Sequence, residues 1–168
     1  GQPAAQCMTT ADHCMLSTPF VVEGTEAFAV ASFMVGGVLQ MPGTDAMNSQ
    51  GDPSFSMEVT PEQFRKDYTF LAPTDYMANF ADVLLPNGAA VMLDGAAVAA
   101  AATPIGNSGW SSMRIKLENG ANGGVHKLST DAEAGLGLQV AGFGYATSYY
   151  YPGGLNLHRI SKPPVVVK

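Results

Sequence analysis

Charge is what this 168-residue chain has least of: charged residues make up 13%, about half the share of an ordinary globular domain. Lys and Arg together number eight against fourteen Asp and Glu, for a net charge of −6. A nucleic-acid partner is therefore not expected, because neutralising phosphates needs a basic face that eight cations do not supply. Docking on anionic lipid is disfavoured for the same reason. Long apolar runs are missing too. The longest, Ala96–Ala102, is mostly alanine and far short of the roughly 18 residues of a membrane span. The chain opens on Gly-Gln-Pro-Ala-Ala-Gln, with no charged stretch leading into an apolar one, as expected of a mature or trimmed product.

Cysteine is nearly absent. Cys7 and Cys14 stand alone in Cys-Met-Thr-Thr-Ala-Asp-His-Cys. Two cysteines at this spacing suit a small local disulfide loop. The alternatives are free thiols or a metal site using Asp12 and His13, although zinc sites usually show closer cysteine spacings in pairs. A disulfide would place the chain in an oxidising, extracytoplasmic compartment.

Catalytic patterns are missing as well. His13, His126 and His158 are the three histidines, and none falls in a metal-binding or catalytic motif. There is no Gly-x-Ser-x-Gly nucleophile turn, no HExxH, no CxxC and no phosphate-cradling glycine loop. The Gly-Phe-Gly at Gly142–Gly144 follows a strand but runs on to Tyr145 and another strand, unlike a dinucleotide loop. The expectation is a protein that is not an enzyme and needs no cofactor.

Glycine and proline, by contrast, are plentiful. Nineteen Gly and eleven Pro are too many for a helical protein and suit a fold built from many turns. Apolar or alternating segments recur between them: Ala27–Val35, Ser54–Val59, Tyr68–Leu71, Asn79–Leu85, Ala89–Leu93, Met113–Leu117, Val125–Leu128, Leu136–Phe143 and Leu155–Ile160. Ala27–Val35 is apolar enough for a strand buried on both faces. Phe55, Met57 and Val59 alternate onto one side, and Met113, Ile115 and Leu117 point inward past Arg114 and Lys116. Pro86-Asn87-Gly88 predicts a hairpin joining Asn79–Leu85 to Ala89–Leu93, since Asn-Gly is a favoured hairpin turn. Thr60-Pro61-Glu62 predicts one helical turn, with Thr60 as its cap. The alanine-rich Gly95–Thr103 is a weak helix former beside its Val and Gly neighbours.

Short strands separated by Gly or Pro turns describe an all-β antiparallel β-sandwich with Greek-key-like connections. The chain divides into residues 1–19 with the cysteine pair, a sandwich over 20–160, and a tail or edge strand over 161–168.

Two segments stand out as surfaces for recognition. Tyr145, Tyr149, Tyr150 and Tyr151 precede Pro152-Gly153-Gly154, and three consecutive tyrosines place rings on both faces of a strand. Exposed tyrosine suits contact with protein or glycan; the plainer alternative packs Tyr149 and Tyr151 in the core and leaves Tyr150 over a sheet edge. The irregular stretch Gly36–Pro53 is long enough to be functional, and Asp45 and Asp52 within it are weak calcium ligands without EF-hand spacing. Calcium-dependent carbohydrate binding is the least favoured functional reading.

The stretch from Gly51 to Val98 carries Gly-Asp-Pro, Pro-Glu-Gln-Phe-Arg, Tyr-Thr-Phe-Leu-Ala-Pro, Asn-Phe and Leu-Asp-Gly in order. The block GFGYATSYYYPGGLNL closes the chain's β-rich part, and AFAVASFMVGG precedes it. In these blocks the chain resembles the C-terminal half of IgGFc-binding-type domains of bacterial surface proteins, over roughly residues 20 to 157. The resemblance implies a secreted or cell-surface binding and adhesion module. The last residues, Pro163-Pro164-Val165-Val166-Val167-Lys168, suggest a different role, in which a β-prone tail adds a strand to a neighbour's sheet edge in a homo-oligomer or filament.

Overall fold

The computed structural model describes residues 18–37, 49–117 and 124–157. Among the described residues eleven strands run in the order β1 (Ala31–Phe33), β2 (Phe55–Met57), β3 (Asp67–Leu71), β4 (Ala78–Pro86), β5 (Met92–Leu93), β6 (Ala96–Ala97), β7 (Thr103–Pro104), β8 (Trp110–Leu117), β9 (Val125–Ser129), β10 (Gly137–Gly144) and β11 (Thr147–Pro152). The expected all-β antiparallel sandwich is what forms. One sheet has the order β11-β10-β4-β8-β7 and the other β3-β9-β5-β6; a separate ribbon pairs β1 with β2. The chain passes between the two main sheets at β3 to β4, β4 to β5, β6 to β7, β8 to β9 and β9 to β10, which gives the Greek-key-like connectivity.

The core lies between these sheets. Ala81, Val83 and Leu85 of β4, Met113, Ile115 and Leu117 of β8, and Leu138 and Val140 of β10 face Tyr68 and Phe70 of β3 and Leu128 of β9. Strict alternation in β4 and β8 fixes which side is buried, and Arg114 and Lys116 stay outside as expected. Outside, Arg114 makes a two-pronged ion pair with Asp82 (2.6 and 2.7 Å) and lies over the Phe80 ring.

Several expectations need correction. Asn87-Gly88 does form a turn, with the Ala89 N–H donating to the Pro86 carbonyl at 3.0 Å and Gly88 at φ +80°. It does not close a hairpin. The longer β8 and β10 flank β4 on both sides, so the chain leaves the sheet and β5 pairs with β6 and β9. Ala27–Val35 is not a doubly buried strand. Only Ala31–Phe33 is a strand, and Phe28 and Phe33 are exposed. In β2 the alternation holds, with Phe55 and Met57 on one side as expected; that side faces outward and Ser56 is buried. Leu155–Leu157 carries no strand, because Gly153 and Gly154 end β11 and the Asn156 N–H is bound to the Gln63 carbonyl; the rest of that expected strand lies outside the described residues. The weak helix-former Gly95–Thr103 contains β6 and the start of β7. The single helical turn is present as a 3-10 turn over Pro61–Gln63, though Thr60 makes no side-chain cap to its backbone.

The outward turn of Phe55 and Met57 has a physical cause. The ribbon does not cover the sandwich core but the outer, polar face of the five-stranded sheet. There the Ser56 hydroxyl donates to Gln139 Oε1 (2.8 Å), and Gln139 Nε2 donates to the Met57 carbonyl (3.0 Å). A buried polar face demands polar partners, so the serines of the ribbon turn inward.

Candidate functional site

One flank of the sandwich is open. β3 ends one sheet and β11 ends the other. Between them lies a groove of about 490 Å³, lined by Thr69, Phe70, Leu71, Pro73, Tyr76, Tyr149, Tyr151 and Gly153. Its aromatic part is built from below. Tyr149 and Tyr151 project from alternate positions of β11 toward the interior side and pack against the core. Tyr76 comes from the connection between β3 and β4. Its ring meets that of Tyr149 edge-on at 4.8 Å, and the rings of Tyr149 and Tyr151 lie 5.9 Å apart.

Each hydroxyl is tied down. The Tyr149 hydroxyl donates to Asn79 Oδ1 at 2.7 Å, and Asn79 Nδ2 donates to the Pro73 carbonyl at 3.0 Å. The Tyr151 hydroxyl donates to the Leu71 carbonyl on β3, which ties the two sheet edges together. The Tyr76 hydroxyl lies 3.3 Å from Thr147 Oγ1. Room for the Tyr149 ring comes from Gly142 opposite it on β10, where a Cβ would lie 2.1 Å from the ring. The groove therefore offers fixed aromatic faces at low conformational cost.

The four sequence-selected tyrosines do not form one surface. Tyr149 and Tyr151 line the groove. Tyr150 points to the opposite side of β11, half-buried near Glu58, Asp82 and Arg114. Tyr145 sits 62% exposed at the tip between β10 and β11, bridged to Gln50. Tyr76 was missed, because a tyrosine within a Pro-Thr-Asp turn carries no periodic signal.

Burial raises the hydroxyl pKa of Tyr149, helped by Tyr151 and Tyr76 nearby, and burial also raises those of Tyr68 and Tyr151. Tyr150 is raised by burial and then by the carboxylates of Glu58 and Asp82, against the opposing pull of Arg114. A folded-state value above the unfolded one means the contribution is complete below about pH 10 and is lost as pH rises beyond it. Alkaline titration is thus expected to couple phenolate absorbance to unfolding. Phenolate formation complete near pH 10 with circular dichroism unchanged would count against the buried groove.

Other expected features are placed less informatively. Cys7, Cys14 and Asp45 lie outside the described residues. Asp52 is exposed, and its carbonyl accepts a hydrogen bond from the Ser148 hydroxyl. Among the described residues no group of three or more His, Cys, Asp and Glu is arranged to hold a metal ion. No helix among the described residues is long and apolar enough to cross a membrane. The ends of the Gly36–Pro53 stretch meet: the Gly37 N–H donates to Gly51 O (3.3 Å), and the Gly51 N–H to Gly144 O (2.8 Å).

The structure adds a pair that sequence did not single out. His126 Nδ1 lies 2.7 Å from Asp94 Oδ2, and Asp94 Oδ1 accepts the Lys127 N–H at 2.8 Å. Burial works to raise the Asp94 pKa, but the hydrogen bonds from His126 and Lys127 outweigh it and hold the carboxyl below its usual range. Nε2 of His126 is buried with no hydrogen-bond partner among the described residues.

Residues 4–142 match the family model described as IgGFc binding protein. The chain belongs to this family. The match covers most of the sequence, taking in the cysteine pair and ending in β10, ahead of the tyrosine block of β11. No curated protein and no solved structure matches the chain. Membership in the IgGFc-binding family marks it as a binding module.

Proposed function

We propose that this IgGFc-binding family member is a non-enzymatic, extracytoplasmic adhesion module that takes a protein ligand in the groove between β3 and β11. The observation that carries this reading is the cluster of Tyr76, Tyr149 and Tyr151, rigidly held on an open flank where both sheets end. Ligand sites combine mostly apolar walls with a few fixed polar groups, and this groove has that make-up. The neighbouring strand edges of β3 and β11 suit an extended peptide, which can add backbone hydrogen bonds while its side chains meet the tyrosines. A disulfide between Cys7 and Cys14 would fit an oxidising compartment. A glycan stacking on the same rings, with or without calcium, is the competing ligand class.

The test is a selection from a random peptide library and a glycan array with the whole chain, followed by titration of the best binder. Tyr76→Ala is expected to weaken binding about 30-fold, the effect of losing a central aromatic anchor. Binding unchanged by Tyr76→Ala would remove the groove from consideration. Binders drawn only from the glycan array would overturn the protein-ligand reading.

A second reading, self-assembly by strand addition, rests on the free ladder edges of the β1–β2 ribbon among the described residues. Under it, deletion of Pro163–Lys168 leaves a folded monomer where the whole chain forms oligomers by light scattering.

A further inference from the structure

The ribbon turns an unusual face to solvent. Phe33 pairs directly with Phe55, and Ala31 with Met57, so these four side chains share one face. The two phenylalanine rings stack at 5.6 Å, yet Phe33 is 74% exposed and Phe55 61%. The other face is already committed, through Ser56 to Gln139 and through Ser54 to Ser148. The chain leading into β1 is exposed as well, and carries Phe20, Val21, Val22 and Phe28 at the surface. A contiguous apolar face of this kind marks a docking surface.

Its surroundings specify the occupant. Residues 18–37 and 49–60 hold four carboxylates, Glu23, Glu26, Asp52 and Glu58, and no Lys or Arg. A partner therefore needs apolar residues for the phenylalanine stack, and cations suit segments that carry carboxylates and no basic residue. It also needs an extended backbone, since neither β1 nor β2 has a second ladder partner among the described residues.

We infer that residues 158–168 of the same chain dock on the ribbon as an additional strand. This segment carries Arg159, Lys162 and Lys168 with no acid, and Ile160, Val165, Val166 and Val167 supply β-branched apolar side chains. Its point of departure is close by. The Asn156 N–H binds the Gln63 carbonyl at 2.9 Å, and Gln63 lies six positions beyond Met57, at most about 20 Å of chain. Eleven further residues span up to about 38 Å when extended, which reaches the ribbon without a second molecule. Attachment to the same chain gives docking an effective concentration that a free neighbour matches only at high protein concentration. The exchanged, intermolecular form of this contact is the strand addition of the second reading.

Zero-length carbodiimide cross-linking of the whole chain at low micromolar concentration tests this, together with amide hydrogen exchange. Cross-links from Lys162 or Lys168 to Glu23, Glu26 or Asp52 are expected in the monomer band. Amides of Ala31–Phe33 and Phe55–Met57 are expected to exchange at least tenfold faster in the Arg159→Glu, Lys162→Glu, Lys168→Glu triple variant. Exchange equal within twofold in the two proteins overturns the docking. Cross-links confined to a dimer band overturn the assignment to the same chain and name a second copy as the occupant.

Discussion

Leu128→Ala is expected to destabilise the protein by about 3 kcal/mol. Leu128 is 1% exposed and stands in β9, between β3 and β5. Tyr68 pairs with it on one side and Leu93 on the other. Because ladders hold β9 on both sides, the sheet does not close over the vacated volume, and the cavity contribution persists beside the lost transfer free energy. For a domain of this size the thermal midpoint falls by roughly 6–12 °C. Thermal unfolding followed by circular dichroism measures it. A fall of under about 2 °C would mean that the two main sheets are not packed through this residue.

Gly142→Val is expected to damage both stability and binding. A Cβ at this position would lie 2.1 Å from Tyr149 Cε1 and 2.7 Å from Asn79 Oδ1, so the ring must leave its seat. Overpacking of this kind costs about 1–3 kcal/mol. Displacing the ring also breaks the hydrogen bond that the Tyr149 hydroxyl donates to the buried Asn79, at a cost of about 1 kcal/mol more. Adding Tyr149→Ala to Gly142→Val clears the space, so the double variant should be less destabilised than the sum of the two single changes. Additivity would show that the valine acts somewhere other than on this ring. Ligand binding in the groove should be lost in both variants, because each removes Tyr149 from its wall.

The legible parts of this molecule were those written in local pattern. Asn79 to Leu85 and Met113 to Leu117 alternate, and both became long strands; in the second, Met113, Ile115 and Leu117 are inside as expected. Thr60-Pro61-Glu62 became the single helical turn. Partner choice was not legible. Asn87-Gly88 has the chemistry of a hairpin and makes its turn, but β4 found better partners in β8 and β10 than in the short segment that follows. The tyrosine block showed a strand with rings on both faces. It did not show that Tyr149 and Tyr151 would meet Tyr76, which depends on a turn more than seventy residues earlier lying beside β11.

Composition, alternation and turn residues by themselves determined that this chain folds as antiparallel β structure and which segments become its main strands. Only the tertiary structure decided what each face meets. In β2 the alternation of Phe55, Ser56 and Met57 is plain, yet the serine went inward, because the surface under it is the polar face of Gln139 and not the core. Alternation states that two faces differ. Which one is covered depends on the chemistry of the surface packed against it, and that surface comes from residues distant in the chain.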